Sequence, residues 1–332
     1  MCIIFIAHHV HPKYPLIIAA NRDEFLDRPT ESMNIWTNDR DTGQNQQREQ
    51  QKNSGEEHRR RRVTLAGRDL VAGGTWLGID LPDGEDTHDS GGDKIEDGGG
   101  EYPDSVLPRW IAITNFREVI DPGRPSRGGL LMEYLDGDVP SASTFVSSLQ
   151  PRGNKYNGFN LLVGDKSGMY YYGNRAKNDQ VSNDPQPLSR GIYGLSNGLL
   201  DSPWPKVERG KEMLRLLCQK DLKEPTSSVE SFHEELMSIL GDQTQPASDD
   251  MLPHTGIGLS FERQLSSIFL PGGLYQGKNY GTMSSATILV DVDGKMSVLE
   301  RTWRTGEDCW FRFDANGNAE DRVEDVCVSH TP

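Results

Sequence analysis

Cysteine, long apolar runs and positive charge are all scarce in this chain of 332 residues. The four cysteines (Cys2, Cys218, Cys309 and Cys327) form no C-x-x-C pair and no regular framework, which indicates a reducing compartment. No apolar run approaches the ~18 residues of a membrane span, and no basic, apolar leader indicates a signal peptide. A net charge of −15, from 35 Lys and Arg against 50 Asp and Glu, argues against nucleic acid as a partner. We therefore expect a cytoplasmic protein without a transmembrane segment.

Two stretches combine high charge with little apolar content. Residues 38–62 are rich in Gln and end in four consecutive Arg, whereas residues 83–105 are dominated by acidic side chains. Neither stretch can bury an apolar face. We predict that both are disordered surface insertions within a single domain spanning residues 1–332.

The first 25 residues predict a buried hairpin with a polar end. Residues 2–7 and 16–20 are short apolar runs, and the Pro-containing segment 11–15 between them favours a turn. The second run ends on the four polar residues 21–24. If the two strands are antiparallel neighbours, these polar side chains return to the level of Cys2.

This arrangement suggests nucleophilic chemistry at Cys2. Removal of Met1 would make Cys2 the N-terminal residue, with a thiol of pKa ~8.5 next to its own α-amine of pKa ~7.7–8.0. A positive charge on Arg22 would favour the thiolate. The alternative is that Cys2 is a small buried apolar residue and that residues 21–24 form an ordinary cluster of ion pairs at a strand end.

Other strands also end on polar residues. Asn115 closes the apolar run 110–114, and Asn197 closes the run 191–195. An amide at such a position can stabilise developing negative charge, or it can cap a turn. The pair Gly73-Gly74 lacks the Lys and Ser or Thr of a phosphate-binding loop, so we interpret it as a bulge or close backbone approach within one strand.

The order of elements predicts the fold class. Short helices are expected at 130–135 and after Ser141, hairpins around residues 165–168 and Asp293-Gly294, and longer helices after Pro205 and near 228–240. Blocks of strands that alternate with blocks of helices are typical of an α+β fold. We predict a four-layer αββα sandwich with mostly antiparallel sheets.

Motifs along almost the whole chain resemble those of one family. CIIFIA, AANRDEF, AGRDLVAGGTWLGID, AITNF, YNGFNLLVGD, YGLSNGLLDSPWPKV and YGTMSSATILVDVDG occur in the order seen in the NRDE family, also called the transport and Golgi organisation protein 2 family. The resemblance implies roles in Golgi organisation, protein secretion, lipid homeostasis and movement of haem between compartments. It implies secretory-pathway proteins as partners, and association with the Golgi or mitochondria.

The layout also resembles the N-terminal nucleophile hydrolase fold, in particular its choloylglycine and penicillin V acylase branch. In that branch a Cys opens the first strand, a charged motif closes the second, and two Asn residues at strand ends form the oxyanion site. The residues that this resemblance assigns are Cys2 as nucleophile, Arg22 and Asp23 as the charged motif, Asn115 and Asn197 as the oxyanion pair, and Asn21, Glu24 and Asn160 as supporting residues. The NRDE motif usually continues later as YGTR, and Met283 stands where that Arg is expected.

Two function hypotheses follow. The first is a Cys2-dependent amidohydrolase or acyltransferase that acts on an amide or thioester and requires no cofactor or metal. The second is a non-catalytic carrier or trafficking factor whose cargo is a lipid or haem. His9 and His11 are candidate haem ligands because they would share one strand face. The favoured interpretation is that they are partly exposed loop histidines, since no Cys or carboxylate lies at ligand spacing beside them.

Overall fold

The architecture of the protein was obtained as a computed structural model. It describes residues 2–37, 63–81, 107–137, 139–175, 184–223, 228–319 and 328–329. The two predicted surface insertions, 38–62 and 83–105, lie outside these ranges, so their prediction stays untested.

The first sheet is centred on the N-terminal hairpin. Strands β1 (Cys2–His8) and β2 (Leu16–Phe25) pair antiparallel, with Cys2 opposite Arg22. The prediction that the polar end of the hairpin returns to the level of Cys2 is therefore confirmed. Its other strands are β10 (Gly191–Leu195), β11 (Gly273–Tyr275), β12 (Lys278–Val290), β13 (Met296–Thr302), β14 (Glu307–Phe313) and β15 (Val328–Ser329). The order is β10-β1-β2-β12-β13-β14-β15, with β11 added to β12.

The second sheet follows the chain order. It consists of β3 (Thr30–Thr37), β4 (Val63–Asp69), β5 (Leu77–Leu81), β6 (Trp110–Asn115), β7 (Phe159–Asp165), β8 (Gly168–Gly173) and β9 (Gln186–Leu188). Every neighbouring pair in both sheets is antiparallel. Such a sheet needs only short connections between sequential strands.

Helices cover the outer face of each sheet. α1 (Gly128–Asp136) and α2 (Ala142–Leu149) pack on the second sheet, whereas α3 (Pro205–Lys223) and α4 (Val229–Leu240) pack on the first. A short helix, α5 (Leu259–Gln264), follows. Ser141 caps α2 by accepting a hydrogen bond from the Thr144 backbone N–H at 3.2 Å, as the sequence predicts. The four-layer αββα prediction is confirmed.

The central hairpin is buried on both faces. Ile4, Ile6 and Ile18 belong to the core shared with the second sheet, because alternate residues of a strand point to opposite faces. Phe5 and Ile17 belong to the core shared with α3 and α4. The site at the end of this hairpin therefore has a sheet on one side and helices on the other.

The interpretation of Gly73-Gly74 is corrected in one respect. β4 ends at Asp69 and β5 begins at Leu77, so the glycines lie in a turn between two strands and not within one strand. Gly73 has φ +72°, and a Cβ on Gly74 would lie 2.6 Å from the carbonyl carbon of Gly128. The close backbone approach is confirmed, and it joins this turn to the beginning of α1.

Candidate functional site

Cys2 lies at the first position of a central strand, with its side chain toward the second sheet. Only 8% of the residue is exposed, and Arg22 opposite it is 5% exposed. Burial raises the pKa of the Cys2 thiol, and the Asp23 carboxylate raises it further. The Arg22 guanidinium and a hydrogen bond from the Asp23 backbone act in the opposite direction. Because the net shift is upward, the thiol needs a base to become a nucleophile at neutral pH.

Arg22 and Asp23 lie on opposite faces of β2. Asp23 is 1% exposed, and its Oδ1 accepts a hydrogen bond from Thr282 Oγ1 at 2.7 Å. Its carbonyl oxygen accepts from the Tyr280 hydroxyl at 2.7 Å. Burial raises the pKa of the Asp23 carboxyl, although Lys206 and Arg117 favour its charged form. Two neighbouring residues of one strand thus place opposite charges on the two sides of the sheet.

Met283 occupies a β-bulge next to Arg22. The register between β2 and β12 shifts between Thr282 and Ser284, which leaves Met283 as the extra residue. Arg22 Nη1 donates to Met283 Sδ at 2.9 Å, and Arg22 Nη2 lies 3.9 Å from Asp69 Oδ2. A thioether therefore faces Arg22 where the resemblance leads one to expect a second guanidinium.

Another guanidinium approaches the site from the beginning of α1. Arg127 is half-buried and donates from Nη1 to the Gly158 carbonyl at 3.0 Å. Burial lowers the pKa of Arg127, whereas Glu118, Glu24 and Cys2 favour its charged form. Its charge is thus within electrostatic reach of Cys2. Sequence reasoning assigned no role to this residue.

Two asparagines connect the sheets beside Cys2. Asn197 Nδ2 donates to the Asn115 carbonyl at 2.9 Å, and the Arg117 backbone N–H donates to the Asn197 carbonyl at 2.8 Å. In the same segment, Ser196 Oγ donates to the Cys2 carbonyl at 3.3 Å. The structure therefore brings Asn115 and Asn197 to the end of the sandwich where Cys2, Arg22 and Asp23 lie.

The three supporting residues differ in position. Asn160 is fully buried and donates from Nδ2 to the Gly198 carbonyl at 2.9 Å, so it holds the Asn197 segment from behind. Glu24 is partly exposed and accepts from the Phe25 backbone N–H. Asn21 faces the helices: Nδ2 donates to the carbonyls of Leu240 at 2.9 Å and Ile268 at 3.0 Å. The structure thus does not bring the Asn21 side chain to Cys2.

The histidine geometry differs from the prediction. β1 ends at His8 and His9 has φ +51°, so the prediction that His9 and His11 share a strand face is wrong. His11 Nδ1 accepts from the backbone N–H groups of Lys13 and Tyr14, both at 3.2 Å. The proton is therefore on Nε2, which donates to Asp221 Oδ2 at 3.0 Å. No lone pair of His11 is left for haem iron.

Sequence reasoning missed a cluster of buried charges at this end. Lys206, the second residue of α3, is 3% exposed, and its Nζ donates to the Leu265 carbonyl at 2.9 Å. Arg117 forms a buried ion pair with Glu262. Its guanidinium carbon lies 4.8 Å from the centre of the Trp204 ring. The sequence held one signal of this cluster. The helix macrodipole disfavours a Lys in the first turn, so a Lys at this position indicates that another interaction stabilises it.

A small cavity lies among these residues. It measures about 10 Å³, room for one water, and is lined in part by Arg117, Trp204, Lys206 and Glu262. Within the described part of the chain, no group of three or more His, Cys, Asp or Glu side chains is arranged to hold a metal ion. None of the helices in the described ranges is long and apolar enough to cross a membrane.

The fold and this site define an αββα sandwich protein with a buried cysteine at the start of a central strand. The Transport and Golgi organisation 2 family model matches residues 1–81 and 107–305. The chain belongs to that family.

Curated relatives match over most of their length. The Transport and Golgi organization protein 2 homolog of Bos taurus is 29% identical over 315 residues, covering 91% of this chain and 93% of the relative. The human homolog is 29% identical over 320 residues, with the same two coverages. Transport and Golgi organization protein 2 of Drosophila melanogaster is 27% identical over 321 residues, covering 91% of this chain and 92% of the relative.

A solved structure also matches. It is a variant of conjugated bile acid hydrolase from Clostridium perfringens, 9% identical, with a TM-score of 0.43 and complete coverage of both chains. The sequence identity and the TM-score are too low to transfer a function from that enzyme to this chain.

Proposed function

We propose that the protein is an N-terminal cysteine amidohydrolase or acyltransferase that acts on amides or thioesters through Cys2. One observation supports this proposal above the others. A buried thiol at the start of β1 lies opposite a buried arginine, and the neighbouring segment 196–197 binds both the Cys2 carbonyl and Asn115.

The proposed reaction begins when Met1 has been removed. The Cys2 thiol transfers its proton to the Cys2 α-amine, and the sulfur forms a bond to the carbonyl carbon of the substrate. When the tetrahedral intermediate collapses, the bond to the leaving amine or thiol breaks and the ammonium returns the proton to it. Water then hydrolyses the acyl-enzyme, or another acceptor takes the acyl group.

The other site residues have separate roles in this proposal. Arg22 favours the thiolate and Asp23 holds the α-ammonium. The amide groups of Asn115 and Asn197 stabilise the oxyanion, a contribution worth ~10²–10³ in rate per donor. Since Asn197 uses one N–H to bind the Asn115 carbonyl, only its second N–H is available to an oxyanion.

The test compares two buried cysteines. N-acyl amides and acyl-thioesters are screened for turnover and for an acyl adduct on Cys2, after the mass of the N-terminal peptide has shown whether Met1 is absent. We expect Cys2→Ala to abolish both readouts and Cys218→Ala, a change in the helix core far from the site, to retain them. Full turnover by Cys2→Ala, or retention of Met1 in an active protein, would refute the mechanism.

The competing role is a non-catalytic carrier of lipid or haem. A haem titration tests the haem cargo. An unchanged Soret band, or an identical shift after His9 and His11 are replaced by Ala, would show that these two residues do not bind haem.

At the level of the cell, we infer a cytoplasmic protein that associates with Golgi or mitochondrial membranes and acts with secretory-pathway proteins. The names of the relatives, which mention transport and Golgi organization, support the Golgi part of this inference. Imaging of the tagged chain beside organelle markers, followed by a secretion assay after its depletion, tests it.

A further inference from the structure

The cavity beside Lys206 is lined by more positive than negative charge. It measures about 10 Å³, and its charged lining residues are Arg117 from the segment after β6, Lys206 from α3 and Glu262 from α5. Each of the three is at most 6% exposed, so solvent screens their charges little. Burial lowers the pKa of Lys206 to about 8, which leaves it mostly an ammonium at neutral pH. The lining therefore carries two positive charges and one negative charge.

Hydrogen-bond donors are also in excess at this cavity. Arg117 binds Glu262 through Nη1, but within the described part of the chain its buried Nε and Nη2, with three N–H bonds between them, have no acceptor. Lys206 Nζ donates to the Leu265 carbonyl at 2.9 Å, and the described residues offer no acceptor to its other two hydrogens. Buried donors are nearly always paired in native proteins, so we expect an acceptor in the cavity.

Glu262 does not supply this acceptor. Its Oε2 accepts from Arg117 Nη1, and its Oε1 accepts from the backbone N–H of Thr255 at 2.9 Å and from the Thr255 hydroxyl. The acceptor residues Glu262 and Leu265 themselves line the cavity, which places the charged ends of Arg117 and Lys206 beside the same space. One particle in that space is therefore in reach of donors from both side chains.

The surroundings favour an anion over a water molecule. A water accepts two hydrogen bonds but has two hydrogens of its own to place, and it leaves the surplus positive charge uncompensated. A halide ion accepts from every donor around it and cancels that charge. Trp204 and Pro205 at the beginning of α3 also line the cavity, so the positive end of the dipole of this 19-residue helix adds to the attraction. An anion would also explain why a Lys is tolerated in the first turn of α3.

We propose that this cavity binds one monovalent anion of the size of chloride, held by Arg117 and Lys206. Phosphate and sulfate are too large for it, because the space admits a single particle close to the size of a water molecule. Cys2 takes no part in this site, so the inference does not rest on the proposed reaction. The ion joins α3 to α5 and to the segment after β6, and it stabilises the folded state by binding to it.

The first test measures stability against chloride concentration. Urea unfolding is followed at neutral pH while chloride replaces methanesulfonate at constant ionic strength; guanidinium chloride is avoided because it supplies the ion. If only the folded state binds chloride, the unfolding constant should fall by the factor 1 + [Cl⁻]/Kd, which is about elevenfold at ten times Kd. Bromide should act as chloride does. Equal stability in chloride and in methanesulfonate would overturn the proposal.

Two lysine variants separate the site from a general salt effect. Lys206→Met leaves one charge of each sign on the lining and removes a charged donor, so Kd for chloride should rise by about tenfold or more. Lys211→Met, on the same helix, removes a lysine that pairs with Asp201 outside the cavity and should keep the wild-type chloride dependence. An equal chloride effect in the wild type and in Lys206→Met would refute the site.

The second test locates the ion and needs no variant to fold. In crystals of the wild type grown in bromide, we expect an anomalous bromide peak within hydrogen-bond distance of both Arg117 and Lys206. A water molecule in the cavity without anomalous signal would show that the lining binds water only, and it would refute the proposal. Absence of turnover at Cys2 would refute the proposed function and would change neither result.

Discussion

The close packing of α3 on β1 leads to a quantitative prediction at Gly210. This glycine lies within α3, where glycine is ~1 kcal/mol less favourable than alanine. A Cβ at this position would lie 2.7 Å from Phe5 Cε2 and closer still to Cζ. Phe5 is fully buried, and β1 is held by β10 on one side and β2 on the other, so the ring cannot move away. Overpacking of this kind costs ~1–3 kcal/mol, and such a close contact belongs at the upper end.

We therefore expect Gly210→Ala to lower the free energy of unfolding by about 2 kcal/mol, after the gain in helix propensity is subtracted. The matched control is Gly129→Ala in α1, where an added Cβ meets nothing within 4 Å and should stabilise by ~0.5–1 kcal/mol. Urea denaturation of both variants measures the difference, and Phe5→Leu in the Gly210→Ala background should recover part of the loss. A Gly210→Ala protein as stable as the wild type would show that α3 does not pack on β1 as described.

Two further predictions concern buried polar groups. Asn21→Leu should destabilise the protein by ~2–4 kcal/mol, because the Leu240 and Ile268 carbonyls lose their shared donor. The rate constant for modification of Cys2 in the folded protein should stay within about twofold of the wild-type value. A much larger fall in this rate constant would place Asn21 in the site. His233 is enclosed between Thr287 and Ser297, and burial lowers its pKa to about 3, so the folded state excludes a proton that the unfolded state binds below pH 6.5. The free energy of unfolding should accordingly fall as the pH drops from about 6.5 toward about 3, by up to ~1.4 kcal/mol per pH unit. Urea unfolding should show a weaker pH dependence for His233→Gln. Equal pH dependence in the two proteins would contradict the exclusion of a proton from buried His233.

Much of the framework could be predicted because local patterns specify it. Apolar runs that end on polar residues located β1, β2, β6 and β10, and Ser141 marked the beginning of α2. Motif order along the chain indicated the family. The pairing of Cys2 with Arg22 also followed, since a short turn between two strands leaves few registers open.

What the sequence could not determine depends on side-chain direction and on contacts between distant segments. Asn21 and Asp23 share the helix-side face of β2. Asn21 nevertheless binds two carbonyls of the helix layer, whereas Asp23 accepts a hydrogen bond from Thr282 of the neighbouring strand. His11 resembles a ligand in sequence, but the turn that follows β1 and Asp221 of α3 occupy both of its nitrogens.

The chain alone therefore determined the strands, the helices and the cysteine at the start of the first strand, because period and turn chemistry are local properties. Only the tertiary structure decided which charges surround that cysteine. Lys206, Arg117 and Glu262 are separated from Cys2 by more than a hundred residues each, and they meet because two sheets and their covering helices close around the same end of the hairpin. Their burial removes the solvent that would otherwise screen one charge from another.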